Sequence, residues 1–311
     1  MKYSIVFPGQ GSQSLGMLSD LNSNFSVVNE VFQEASDSIS VDLWQILNED
    51  QEALNLTENT QPIMLAAGYA TYKVLSGETS LTPLSMAGHS LGEYTALVAS
   101  NSINFFDAIG LVRKRGELMQ SAVPSGTGSM AAILGLEDAI IIEICHKACN
   151  KGVVEAVNFN SPGQVVIAGE KNAVAYACEL LKEAGAKRAL ILPVSVPSHC
   201  SLMTEAAAKF KTFIESVEFK APNRKVIHNV DANYAGDTDA IKTKLVEQLH
   251  RPVLWTDSVK KMKDSGVERL IEAGPGKVLT GLTRRIDKSL SASAIIDVSS
   301  LKSTIEEISN A

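Results

Sequence analysis

Cysteine is scarce: the 311-residue chain holds 4. That excludes a small secreted domain built on a disulfide framework and makes a reducing compartment the simpler setting. Aromatic residues make up only 5%, so aliphatic side chains and alanine must fill the interior. No apolar run approaches the about 18 residues of a membrane-spanning helix. The first apolar stretch ends at Pro8 and Gly9, too early for the apolar core of a signal peptide. Positive charge is also in deficit, with 28 Lys and Arg against 35 Asp and Glu and a formal net charge of −7. A general nucleic-acid binder draws its affinity from neutralising phosphates, so that class is disfavoured, although a local basic patch is not. The expectation is a soluble, cytoplasmic protein with neither a membrane nor a nucleic acid as partner.

Hydrophobic residues reach 45% and charged residues 20%, which is ample for a packed core and rules out a disordered chain. At about 150 residues per domain, the length allows one large domain or two ordinary ones. Short strands are expected at 3–7, 85–88, 225–229, 269–272 and 294–298, with helical patterns between them. Thr60 is placed to cap a helix with Pro62 in its first turn. After Ser201, residues Leu202, Ala206, Phe210 and Phe213 recur at helical spacing. Strands alternating with helices predict an α/β fold with a largely parallel sheet. The stretch 126–195 reads differently: strand 130–134, helix 136–149, strands 153–158 and 164–168 separated by Asn160-Ser161-Pro162-Gly163, helix 172–184, strand 189–194. That βαββαβ order predicts a ferredoxin-like small domain inserted into a large domain made of 1–125 and 196–311. A cleft between the two is the natural place for a site.

Gly88-His89-Ser90-Leu91-Gly92 follows an apolar strand and precedes a helical run. In that context Gly-x-Ser-x-Gly forms a nucleophile elbow, with the serine at the tip of a tight turn and helix N-terminal amides beside it to stabilise an oxyanion. The bland alternative is a glycine-rich turn with a capping serine. A serine nucleophile needs a base. Among His89, His146, His199, His228 and His250, His89 is next to the serine, where adjacent side chains point apart. His146 stands beside Cys145 and Cys149, but two further metal ligands are not evident, so no metal is expected. His228 and His250 read as structural. His199 lies at the domain junction just before a helix, whose N-terminus would keep the ring neutral; a plain capping neighbour is the alternative.

The start Pro8-Gly9-Gln10-Gly11-Ser12-Gln13 fits neither a dinucleotide fingerprint nor a phosphate loop, because Ser14, Met17 and Leu18 stand where Gly, Lys and Ser/Thr are required. It reads as a loop whose backbone approaches a ligand and supplies an oxyanion donor. Arg113, Lys114 and Arg115 share one helical stretch, and any of them that reached the cleft would pair with a carboxylate.

Taken together, FPGQGSQ, GHSLGEY, the RG of the following helix, GTGSMAAILGL, NFNSPGQVVIAG, VPSHC, VEQLHRPVLW and EAGPGKVL resemble the malonyl-coenzyme A:acyl carrier protein transacylase family over nearly the whole chain. The resemblance implies an α/β-hydrolase-like large domain and transfer of a malonyl group from coenzyme A to the phosphopantetheine thiol of acyl carrier protein in fatty acid synthesis. It implies Ser90 as nucleophile and His199 as base, with Arg115 holding the malonyl carboxylate. It further implies oxyanion donors at the Gln10 and Leu91 amides, and Gln248 orienting His199 through its backbone carbonyl. No cofactor is implied, since malonyl-coenzyme A is a substrate, and a monomer is expected. The acyl carrier protein partner is acidic, so docking requires a local basic patch. Lys187-Arg188 and Arg284-Arg285 are the candidate pairs, placed on either side of the cleft mouth.

Two other classes compete. An α/β-hydrolase, esterase or thioesterase would need an Asp or Glu between the serine and histidine, with Asp107 and Asp138 available. A non-catalytic binding module would have no need of serine, histidine and arginine together.

Overall fold

The computed structural model describes residues 2–80, 82–194 and 196–309. The expected domain limits at 1, 195 and 311 lie outside the described residues. Nine strands occur among them: β1 (Tyr3–Phe7), β2 (Ser85–Gly88), β3 (Gly128–Leu134), β4 (Val154–Ser161), β5 (Gln164–Glu170), β6 (Arg188–Ile191), β7 (Lys225–Ile227), β8 (Arg269–Ala273) and β9 (Ser291–Ile295). They form two sheets, one of five parallel strands in the order β7-β2-β1-β8-β9 and one of four antiparallel strands in the order β4-β5-β3-β6. The fold is therefore mixed α/β. No described helix is long and apolar enough to cross a membrane.

Side chains alternate across a strand, so β1 serves both faces of the parallel sheet. Ile5 and Phe7 point into one apolar cluster with the helices Ser26–Ile39 and Thr57–Glu78. Val6 points into a second with Trp255, Val259, Met262 and Leu282. Cover on both faces is what a parallel sheet requires. Register does the rest: Phe7 pairs with Gly88, so the glycine-rich loop after β1 and the turn after β2 leave the same sheet edge side by side. Gly9 abuts that turn so closely that a β-carbon there would lie 2.5 Å from the His89 carbonyl oxygen.

The antiparallel sheet buries one face under the helices Asp138–Ala148 and Lys171–Glu183. Its other face packs Met130, Val157, Val166 and Ala168 around Cys200. Strand β4 is stitched to the segment preceding Trp255 by Val253 N–H to Val157 O (2.8 Å) and Phe159 N–H to Val253 O (3.0 Å). Cys200, next to His199, is thus seated on the antiparallel sheet.

Several local expectations are corrected. The helix expected to start at Thr60 begins at Thr57, so Pro62 lies inside it. Proline has no N–H for the carbonyl four residues back; that carbonyl, of Glu58, accepts from Arg113 Nη1 at 3.2 Å instead. Phe213 is exposed, and Ile214 takes the buried position beside Phe210. Asn160 and Ser161 belong to β4, leaving a tight turn at Pro162-Gly163. The last strand ends at Ile295 because Ser300 Oγ accepts from the amides of Ile296 and Asp297, while Asp297 Oδ1 accepts from Ser300 N–H at 2.7 Å. That mutual capping turns the chain into the helix Val298–Ser309.

Candidate active site

The turn after β2 is forced by its two glycines. A β-carbon on Gly88 would fall 1.8 Å from Gly92 C, and one on Gly92 would fall 2.1 Å from the Phe7 carbonyl oxygen. Between them Ser90 sits at φ 52°, the left-handed region that non-glycine residues rarely occupy. Strain of this kind persists only where the surroundings over-determine it. Here both main-chain groups of Ser90 are held by side chains: its N–H donates to Asn229 Oδ1 (2.7 Å), and its carbonyl accepts from Gln248 Nε2 (3.0 Å). Asn229 Nδ2 also donates to the Gly88 carbonyl at 2.7 Å.

The Ser90 hydroxyl lies 2.8 Å from His199 Nε2. On the opposite side of the ring, Nδ1 lies 2.6 Å from the Gln248 main-chain oxygen. A carbonyl can only accept, so Nδ1 carries the proton and Nε2 is left bare toward the serine. His199 is itself at φ 67°, pinned by its own N–H to Leu249 O at 3.0 Å. Burial, and then the positive charge of Arg115, push its pKa down to about 3 from the ordinary histidine value of 6.5, against the bond to Gln248. The expected helix dipole plays no part in this. Ser201–Met203 forms a 3-10 turn and the α-helix starts only at Thr204.

Of the three neighbouring cations, Arg115 alone is buried, at 1% exposure. It falls on the apolar stripe of the helix Phe105–Ser121 with Ala108, Val112 and Met119. Arg113 and Lys114 lie off that stripe and both pair with Glu117. The Arg115 guanidinium donates through Nη1 to Gln61 Oε1 (2.8 Å), and through Nη2 to Gln248 Oε1 (2.9 Å) and Ser90 Oγ (3.3 Å). It stands 5.4 Å from the centre of the Tyr94 ring, and its Nε has no partner among the described residues.

Leu91 occupies the N-cap position of the helix Gly92–Ala99. Its amide and that of Gln10 meet no acceptor among the described residues. The Gln10 side chain reaches 3.5 Å from Thr57 Oγ1. His89 turns away from the serine, with Nε2 2.8 Å from Asn160 Oδ1 of β4 and its ring 5.6 Å from that of Trp255. Exposed His146 and the buried, carboxylate-bound His228 are both remote from the Ser90 hydroxyl in bonding terms. Neither Asp107 nor Asp138 bonds His199, whose Nδ1 is taken by a main-chain carbonyl. Burial pushes the Cys200 thiol up to about 12.

The sequence reading missed Asn229, Glu93 and Gln61, while His228, read as structural, is buried against Glu93. Glu93, buried within GHSLGEY, was the legible one, because a carboxylate inside an otherwise apolar helix requires partners.

Arg285 Nη1 donates to Gln164 Oε1 at 2.5 Å. Gln164 pairs with Leu134, and Leu134 with Arg188. One row across the end of the antiparallel sheet thus links Arg285 of one pair to Arg188 of the other. Lys187, Arg188, Arg284 and Arg285 are all exposed.

Comparison with known proteins places these features in a family. Residues 4–304 match the acyl transferase domain model. The chain is 52% identical over 306 residues to the malonyl CoA-acyl carrier protein transacylase of Escherichia coli K12, covering 98% of this chain and 99% of that protein. A crystal structure of an acyl carrier protein S-malonyltransferase from Vibrio cholerae is 53% identical with a TM-score of 0.95, covering 98% of this chain and 100% of that one. A malonyl-transacylase solved in complex with its type II polyketide acyl carrier protein is 50% identical with a TM-score of 0.97, over 99% and 100% of the two chains.

Proposed function

The chain belongs to the acyl transferase domain family, and from that premise we propose that it carries a malonyl group from malonyl-coenzyme A to the phosphopantetheine thiol of acyl carrier protein, supplying fatty acid synthesis. One oxygen carries the reading: Ser90 Oγ is 2.8 Å from a bare imidazole nitrogen and 3.3 Å from a buried guanidinium. The first neighbour suits a nucleophile that must lose a proton. The second suits an acyl group ending in a free carboxylate.

In this mechanism Ser90 Oγ attacks the thioester carbon while His199 Nε2 takes the hydroxyl proton. The carbonyl oxygen becomes an oxyanion received by the amides of Leu91 and Gln10. Collapse expels the coenzyme A thiolate, which takes the proton from His199 and leaves a malonyl ester on Ser90. The carrier thiol then gives its proton to His199 and attacks that ester. The released Ser90 oxygen recovers the proton. The acyl group travels on the serine throughout, so the scheme calls for no cofactor.

The architecture we propose for this task is a ferredoxin-like small domain (126–195) inserted into an α/β-hydrolase-like large domain (1–125 and 196–311). The order β4-β5-β3-β6 with two helices on one face supports the former. An elbow at the carboxyl edge of a parallel sheet supports the latter. We place the protein in the cytoplasm as a monomer, with the basic row at the end of the antiparallel sheet as the docking face for the acidic carrier.

Mixing the protein with malonyl-coenzyme A and mapping the adduct by mass spectrometry tests this reading. A malonyl ester on the Ser90 peptide, discharged when carrier thiol is added, is the expected result. An acyl group on Cys200, or release of free malonate at the same rate without an acceptor, would overturn it.

A further inference from the structure

Arg115 is a buried cation whose side-chain partners are a serine hydroxyl and the carboxamides of Gln61 and Gln248, all formally neutral. A desolvated guanidinium held only by neutral groups is costly unless an anion lies close behind them. One does. Glu93, fully buried, accepts Gln248 Nε2 at 2.7 Å. The Gln248 carboxamide therefore lies between the two charges, its oxygen on Arg115 and its nitrogen on Glu93. Carboxamide oxygen and nitrogen differ little in shape, so hydrogen bonding decides which way such a group faces. Glu93 Oε2 also accepts the Asn229 amide (2.9 Å), and Oε1 accepts His228 Nδ1–H (2.7 Å). Three donors from after β7 thus fix the carboxylate, and the carboxylate fixes Gln248.

We propose that Glu93 is a positioning residue for acyl-group selection, setting the orientation of the Gln248 carboxamide and through it the place of the Arg115 guanidinium over the Ser90 hydroxyl. A carboxylate touching Arg115 directly would compete with the substrate's own. One carboxamide away, it aligns the guanidinium and leaves Nε, together with the Nη2 hydrogen now on Ser90 Oγ, to an incoming anion. The base is insulated from this chain of contacts, because His199 is held by the main-chain oxygen of Gln248 and not by its side chain. The inference rests on the reading of Arg115 as the carboxylate-binding residue.

Two mild variants test it in the full chain. Glu93→Gln keeps the length and an oxygen for Gln248 Nε2 and Asn229 N–H, with its nitrogen facing His228 in the other tautomer. Glu93→Asp keeps the charge but withdraws it by one methylene. KM and kcat for self-acylation are measured with malonyl- and acetyl-coenzyme A. In Glu93→Asp the malonyl-to-acetyl ratio of kcat/KM should fall about tenfold, through a rise in KM for the malonyl donor beyond any slowing shared by both donors. In Glu93→Gln the ratio should stay within about threefold of the parent protein. Equal slowing of both donors in Glu93→Asp would overturn the proposal by making Glu93 a support of the turn alone. So would an unchanged ratio there, or the reverse pattern between the two variants, which would assign the effect to charge. Arg115→Ala is run beside them. An unchanged ratio in that variant refutes the Arg115 reading, whereas a collapsed ratio there with an unchanged one in Glu93→Asp refutes only the role of Glu93.

Discussion

His199 Nδ1 and the Gln248 main-chain oxygen are 2.6 Å apart, so a carbonyl occupies the position where a carboxylate would complete a triad. A carbonyl does not titrate, and it contributes no negative charge to favour the imidazolium. With burial and Arg115 acting in the same direction, the ring stays neutral far below its usual range.

This gives a pH signature. The base must be neutral, and it is neutral above a pKa pushed down to about 3. Self-acylation should therefore hold its rate as pH falls through 6.5, the ordinary value for histidine, and decline only on approach to the lower value. Linkage has the same sign: the unfolded chain takes up a proton near 6.5 and the folded one does not, so stability contributed by the neutral ring is lost between about 6.5 and about 3. His89, whose pKa is also lowered by burial, adds to this slope. Rapid-mix acylation and thermal melts across pH 4 to 8 check both; a rate that halves near 6.5 contradicts the assignment.

Ser90→Ala should form no acyl adduct by intact mass. His199→Ala should slow acylation by about 10² or more while melting as a folded protein. Near-normal acylation in the second variant would move the base elsewhere.

Arg115→Ala should lose malonyl transfer and gain relative activity toward acetyl-coenzyme A. A charge-assisted hydrogen bond contributes ~1.5–3 kcal/mol, and 1.4 kcal/mol is about tenfold, so the preference should fall ten- to a hundredfold. Arg115→Lys should recover part of it, because lysine lacks the planar fork. Competition between the two donors for Ser90 reads the ratio directly.

Charge reversal at Lys187 and Arg188, or at Arg284 and Arg285, should raise KM for acyl carrier protein and leave self-acylation by malonyl-coenzyme A nearly unchanged. Because Gln164, Leu134 and Arg188 form one row that meets Arg285, the two reversals should be less than additive. Wild-type transfer should slow with added salt. Equal loss in both half-reactions would tie these residues to folding or to the coenzyme.

Much of this was legible in the sequence where local rules suffice. Strands β1 and β2 are apolar runs closed by Pro-Gly and by Gly-His-Ser, and their ends agree with the structure. The βαββαβ order of 126–195 could be read from turn residues and helix periodicity. Strand β9 was misplaced because Ser291–Ile295 is built of serine and alanine, weak strand formers, while the apolar Ile296 and Val298 beyond it lie in the turn and the following helix. Arg115 was distinguishable from Arg113 and Lys114 by the stripe it shares with Val112 and Met119, a pattern read too cautiously. Glu93, Asn229 and His228 were beyond reach as a set. Their bonds span more than 130 residues, and no local period encodes a pairing of that range.

That range has a consequence for how the protein is made. Apart from Arg115, the side chains that bond Ser90 all come from residue 199 onward: His199, Asn229 and Gln248, at separations of 109, 139 and 158 residues. A nascent chain that has released its serine from the ribosome still lacks the means to activate it. Synthesis therefore keeps the serine unactivated until about residue 249, whose carbonyl pins His199, has emerged, and a product truncated before that point lacks the contacts that ready the serine.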